Sequence, residues 1–140
     1  SLWRAIVNKK LAKKIFVYEK SKKYIKDIKR LKLSWEIIKN FKNVIPKIDL
    51  IIFCTPMSEY ERIIFKINKY LSNKTIITDV GSSKEKSLLL IKRKLKKGIS
   101  WTSSHPITGS EVSGPKNGNK NLFSKKWCIL IKEKKPIKII

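Results

Sequence analysis

The chain has 140 residues, of which 34 are Lys or Arg and 10 are Asp or Glu, for a formal net charge of +24. A hydrophobic share of 41% excludes a disordered basic tail, and the length suits one domain with its own core. No apolar run approaches the ~20 residues of a bilayer span, and two cysteines are too few for a secreted disulfide framework.

Leu2, Ala5, Ile6 and Leu11 recur at helical spacing, which predicts a helix over 2–14 with lysines on its other face. This stretch is not a signal peptide, because its charges follow the short apolar run instead of preceding it. Residues 15–18 read as a strand ending at Glu19. Ser21 is placed to cap a helix through Leu31, with Tyr24, Ile25, Ile28 and Leu31 on one face. Residues 32–47 are ambiguous: a short strand near Glu36 and a loop closed by Pro46.

Residues 48–54 read as a buried strand, ended by Thr55-Pro56 because proline cannot continue a central ladder. Ser58 and Glu61 have capping-box spacing for a helix whose apolar positions are Tyr60, Ile63, Ile64, Ile67 and Leu71. A strand at 75–78 leads into Asp79-Val80-Gly81-Ser82, and a lysine-rich helix over 84–97 is expected to stop at Gly98. Further strands are predicted at 99–103 and 127–131. Cys54 and Cys128, each within an apolar strand, are expected to be buried thiols.

Short strands alternating with amphipathic helices predict an α/β chain with a parallel sheet. Ligands of such sheets bind beyond the carboxyl ends of the strands. Those positions are Glu19, Thr55-Pro56, the turn Asp79 to Lys84, and the loop Ser104 to Glu111. In a dinucleotide-binding fold an acid at Glu19 bonds the adenosine ribose and favours NAD, since a 2′-phosphate is repelled. Lys20, Lys22 and Lys23 pull the other way, and a solvated glutamate in a turn remains an equal alternative. The glycine fingerprint of such folds precedes the first helix, and this chain opens inside that helix.

His105 is the sole histidine, on a polar, glycine-containing loop where an imidazole suits proton transfer near neutral pH. Gly81-Ser82 is a tight turn that presents a hydroxyl or caps the next helix, and the two roles are compatible. Lys84 faces phosphate or water, with water favoured.

The charge has two readings. One is a polyanion partner, nucleic acid or an anionic membrane. The other is A/T-rich coding, which turns neutral surface positions into lysine. The second is preferred. Arginine occurs only at Arg4, Arg30, Arg62 and Arg93, alanine only at Ala5 and Ala12, and lysine is spread over every predicted helix. Trp3, Trp35, Trp101 and Trp127 are likewise scattered, so neither nucleic acid nor membrane is expected as a partner.

The blocks I-D-L-I-I-F-C-T-P from Ile48, T-D-V-G-S-S-K from Thr78, H-P-I-T-G-S-E-V-S-G-P from His105, Leu122-Phe123 and W-C-I-L from Trp127 resemble the prephenate/arogenate dehydrogenase family of tyrosine biosynthesis. Order and spacing match across nearly the whole chain, and the second and third blocks are the specific ones. The resemblance implies a Rossmann-type, doubly wound, mostly parallel sheet, incomplete here because the first strand and glycine loop are missing. Residues 1–140 are then a partial nucleotide-binding domain, without the family's helical domain, which forms a homodimer. Such a piece is expected to be inactive alone and to aggregate, because the strands at 15–18 and 48–54 lose their central neighbour.

The implied reaction oxidises prephenate or arogenate with NAD, NADP being the alternative, in the cytoplasm. His105 matches the family's proton acceptor, and Ser82 the serine that bonds the same substrate hydroxyl and helps fix the histidine. Glu111 and Gly109 fall on the substrate side, together with Ser82. Glu19, Thr55, Pro56, Asp79 and Gly81 fall beside the cofactor, and no metal is implied. Glu19 stands where Asp is usual, and Thr108 and Ser110 replace the commoner Ala and Thr. The other readings are a β-hydroxyacid-type Rossmann oxidoreductase, whose members lack the H-P-I-x-G-x-E loop, and a basic nucleic-acid-binding module.

Overall fold

The structure, a computed structural model, describes residues 1–31 and 35–131. Part of the ambiguous 32–47 stretch and the tail from residue 132 lie outside the described residues. The chain forms two compact units, one of Ser1–Lys39 with Pro106–Trp127, the other of Asn40–His105 with Cys128–Ile140.

In the first unit, helix α1 (Leu2–Asn8) ends well short of residue 14. Lys10 turns to a positive φ of 52°, and Leu11, the next apolar residue, is left exposed, so no apolar stripe continues the helix. Strand β1 (Phe16–Val17) pairs in parallel with β2 (Glu36–Ile37), Phe16 opposite Glu36. Between them, α2 (Lys22–Arg30) starts as expected: the Ser21 hydroxyl accepts from the Tyr24 N–H at 3.3 Å. Asp27 and Ile28 are its buried residues.

The loop 107–118 is fastened within the same unit. Thr108 Oγ1 donates to the Leu122 carbonyl at 3.1 Å, Arg4 donates to the Pro115 carbonyl at 3.1 Å, and Lys116 pairs with Asp27 at 3.3 Å. Gly114, at φ +94°, sits against the Tyr24 ring, where a side chain would be strained and crowded.

The second unit holds a four-stranded sheet in the order β3 (Leu50–Phe53), β4 (Ile76–Asp79), β5 (Ser100–Pro106), β6 (Cys128–Ile131). The first three are parallel, with Phe53, Asp79 and Ser103 in register. Helices α3 (Phe41–Val44), α4 (Tyr60–Ile67) and α5 (Glu85–Lys94) complete it. Ile63, Ile64 and Ile67 of α4, Ile77 of β4 and Ile91 of α5 form the core. Phe53 packs edge-on against both Tyr60 (5.0 Å) and Trp101 (5.5 Å). Crossovers through helices between parallel strands are what the sequence alternation predicts, and the α/β, mostly parallel architecture is as expected.

Five further local expectations are corrected. The capping box at Ser58 does not form: the chain leaves Pro56 through a 3₁₀ turn, α4 starts two residues later, and Glu61 pairs with Lys94 at 3.0 Å. Residues 41–44, expected as loop, are helical because the Asn40 side chain accepts from the Lys42 N–H at 2.9 Å and caps them. Helix α5 ends at Lys94, and Gly98, with φ +86°, serves the turn into β5 instead. Both cysteines are exposed, not buried. Cys54 lies past the last ladder residue of β3, and Cys128 opens β6, whose Ile129 and Leu130 are exposed as well. The strand at 48–54 is also less buried than expected, with only Phe53 in the core. Among the described residues it stands at the end of the strand order, with one neighbour, as does β1.

Candidate active site

Parallel strands point their carboxyl ends the same way, so the residues just past the register positions Phe53, Asp79 and Ser103 share one rim. Those residues are Thr55-Pro56 after β3, Gly81-Ser82 after β4, and Ser104-His105 at the end of β5. All belong to the second unit. Tertiary structure thus brings together the proposed catalytic pair and the proposed cofactor-side residues Thr55, Pro56, Asp79 and Gly81.

Beneath the rim lies a polar network centred on Asp79, which is 0% exposed. Its Oδ2 accepts from the Tyr60 hydroxyl (3.1 Å), the Gly81 N–H (3.3 Å) and Lys84 Nζ (2.7 Å). Its Oδ1 accepts from the Ser104 N–H at 3.3 Å, and the Ser104 hydroxyl donates to the Asp79 backbone carbonyl. A buried carboxylate is tolerable only when paired and fully hydrogen-bonded, and this one is. Asp79 therefore faces inward, as a support under the turn.

Lys84 faces neither water nor an open phosphate site, contrary to the expectation of a solvated side chain. Its ammonium is drawn in by Asp79 and also donates to the Ser104 carbonyl at 2.6 Å. Gly81 closes the network from above: a Cβ there would sit 3.2 Å from Asp79 Oδ2 and 3.3 Å from the Tyr60 hydroxyl.

Burial, with the Asp79 charge and hydrogen bond behind it, pushes the Tyr60 phenol well above its ordinary value of about 10. The sign of the consequence follows. As pH passes 10 the unfolded chain loses the phenol proton first, so the folded state becomes less stable with rising pH. The urea midpoint of the parent protein is expected to fall more steeply above pH 10 than that of Tyr60→Phe, which subtracts the lysine contribution common to both. Equal slopes would show that Tyr60 is not coupled to the fold in this way.

His105 is partly buried, and its Nδ1 is covered without a hydrogen-bond partner among the described residues. Thr55 Oγ1, two strands away after β3, is likewise covered and without a partner among the described residues. Ser82 and Pro56 are exposed on their turns. Covered polar atoms are rarely left without a partner in folded proteins, and the Trp3 and Trp35 indole nitrogens share this state with His105 and Thr55.

Glu19, Gly109 and Glu111 belong to the first unit. Glu19 follows β1, and its Oε1 accepts from the N–H groups of Lys20 and Ser21, both at 2.8 Å. Both bonds fall on one oxygen, which leaves Oε2 to accept from a ribose hydroxyl, so the residue fits the sugar of a dinucleotide. Gly109 and Glu111 are exposed, and nothing lies within 4 Å of a Cβ at Gly109.

Sequence reasoning missed the roles of Tyr60 and Ser104 in the Asp79 network. Tyr60 was placed on the apolar face of its helix, which is correct. The available signal was its hydroxyl, since a buried tyrosine normally needs a hydrogen-bond partner. No helix among the described residues is long and apolar enough to cross a membrane.

Residues 2–138 match the family described as "Prephenate dehydrogenase, nucleotide-binding domain". Prephenate dehydrogenase from Aquifex aeolicus is similar, with a TM-score of 0.85 at 27% identity, over 99% of this chain and 49% of that one. So is the same enzyme in complex with hydroxyphenyl propionate and NAD+, with a TM-score of 0.84 at 26% identity, over 97% of this chain and 47% of that one. Synechocystis arogenate dehydrogenase shares the fold, with a TM-score of 0.68 at 20% identity, over 91% of this chain and 44% of that one. The chain thus spans about half the length of the solved structures that it matches.

Proposed function

Because the chain belongs to the prephenate dehydrogenase family through its nucleotide-binding domain, we propose that the intact enzyme oxidatively decarboxylates prephenate or arogenate, with His105 as the base. The observation that carries this reading is the state of His105 on the rim. With Nδ1 covered, Nε2 is the ring nitrogen left to receive a proton. A neutral imidazole there removes the proton from the substrate's ring hydroxyl. As that carbon becomes a carbonyl it gives up its hydrogen as hydride, and loss of the ring carboxylate as CO2 then aromatises the ring. NAD+, or NADP+ in its place, supplies the hydride acceptor.

Glu19 holds the adenosine ribose through its uncommitted oxygen, which favours NAD+. Thr55, Pro56 and Gly81 border the nicotinamide half, and Asp79 holds that turn from inside. Ser82 donates to the substrate hydroxyl, while Glu111 and Gly109 lie toward the substrate side chain. The enzyme works as a homodimer in the cytoplasm.

The test is direct. The intact enzyme is incubated with prephenate or arogenate, each with NAD+ or NADP+, and reduced cofactor and CO2 are measured. One pairing is expected to give both products in equal amounts, with NAD+ preferred. No product from any of the four pairings would overturn the proposal.

A further inference from the structure

We propose that Lys84 is a positioning residue for His105, tethering the Ser104–His105 peptide unit to the Asp79 carboxylate. The part of this that concerns turnover rests on the function proposed above. The ladder between β4 and β5 ends at Asp79 and Ser103, so the next peptide unit, Ser104–His105, lies past the paired register. Lys84 takes over at that point. Its Nζ spans from Asp79 Oδ2 (2.7 Å) to the Ser104 carbonyl oxygen (2.6 Å). That carbonyl belongs to the peptide unit whose nitrogen is His105's own. The other side of Ser104 is held by Asp79, through the Ser104 N–H and hydroxyl. Residue 104 is thereby clamped from both sides, and the direction in which the His105 side chain leaves the backbone is set.

The composition of the clamp argues for a positioning role. The Lys84 side chain is 11% exposed and that of Asp79 0%. Burying such a pair carries a desolvation cost that apolar residues of similar size would avoid. What apolar residues cannot supply is a donor aimed at the Ser104 carbonyl. The reacting group needs placement within a fraction of an ångström, and misplacement by about 1 Å costs on the order of 100-fold in rate.

Three variants of the intact enzyme test this: Lys84→Met, the double variant Asp79→Asn/Lys84→Met, and Lys94→Met as a surface control. Turnover, melting temperature and the ¹⁵N-histidine amide spectrum are recorded, with the His105 peak assigned by its loss in His105→Gln. A peptide nitrogen senses hydrogen bonding at its own carbonyl. The His105 amide peak is therefore expected to move in both Lys84 variants and to stay in place in Lys94→Met. Turnover is expected to fall about 10- to 100-fold in both, with KM little changed. Lys84→Met also melts earlier, because it strands a buried carboxylate. The double variant removes that charge, so its melting temperature recovers while turnover and the amide peak do not. An unmoved His105 peak would overturn the tether. Turnover that recovers together with melting temperature would overturn the positioning role and leave a structural one. If the parent enzyme turns over neither substrate, the proposed function fails, and the amide peak still decides the tether.

Discussion

His105→Asn is expected to lower kcat by about 10²–10⁴-fold, the usual contribution of a positioned general base. Asparagine ends at the level of the imidazole Nδ1, so it keeps a polar atom at the covered position and removes the outer ring atoms Cε1 and Nε2. The surroundings of His105 do not depend on its ring: Ser103 and Ser104 are held by β4, Asp79 and Lys84. Affinity for NAD+, measured by quenching of tryptophan fluorescence, should therefore stay near that of the parent. Loss of both turnover and cofactor affinity would indicate a damaged fold. Near-normal turnover would remove His105 from the chemistry, and the search for a base would move to Glu111, which occupies the same loop in sequence.

Asp79→Ala is expected to cost about 3–5 kcal/mol of stability, the range found when one partner of a buried ion pair is removed. The carboxylate serves four donors at once: the Tyr60 hydroxyl, the Gly81 and Ser104 N–H groups and the Lys84 ammonium. Alanine leaves them facing a small cavity, and the ammonium suffers most because its charge stays buried. Asp79→Asn keeps one oxygen and should lose less. Chemical denaturation of the intact protein measures both. Asp79→Ala at parental stability would mean that water replaces the carboxylate, and the network would then not hold the rim together.

Much of this architecture was readable one segment at a time. Ser21 and its helix, the strand at 75–78 and the helix after Pro56 are local events, set by capping side chains and by apolar spacing over a few residues. The candidate site was also visible in outline, because a strand's end can be found from its own apolar run and the turn residues after it. The errors were local competitions that spacing does not resolve. Ser58 and Glu61 have capping-box spacing, yet the 3₁₀ turn after Pro56 moved the helix start beyond Ser58. Cys54 sits in an apolar sequence, yet it falls one residue past the ladder and emerges.

The sequence by itself determined the alternation of strands and helices, the strand-end positions of Thr55 and Gly81, and the family to which the H-P-I motif belongs. These depend on neighbours close in the chain. His105, by contrast, was expected on a loop after the strand and lies within β5. Where the charged side chains went was decided only by tertiary structure. Lys84 is one of many lysines and carries no local mark that separates it from the solvated ones. Its fate was settled when parallel pairing set Asp79 opposite Ser103, which brought a buried carboxylate and the Ser104 carbonyl within reach of one ammonium. Desolvation penalises a charge that enters the interior alone, so Lys84 could turn inward only where the folded sheet had already assembled both acceptors.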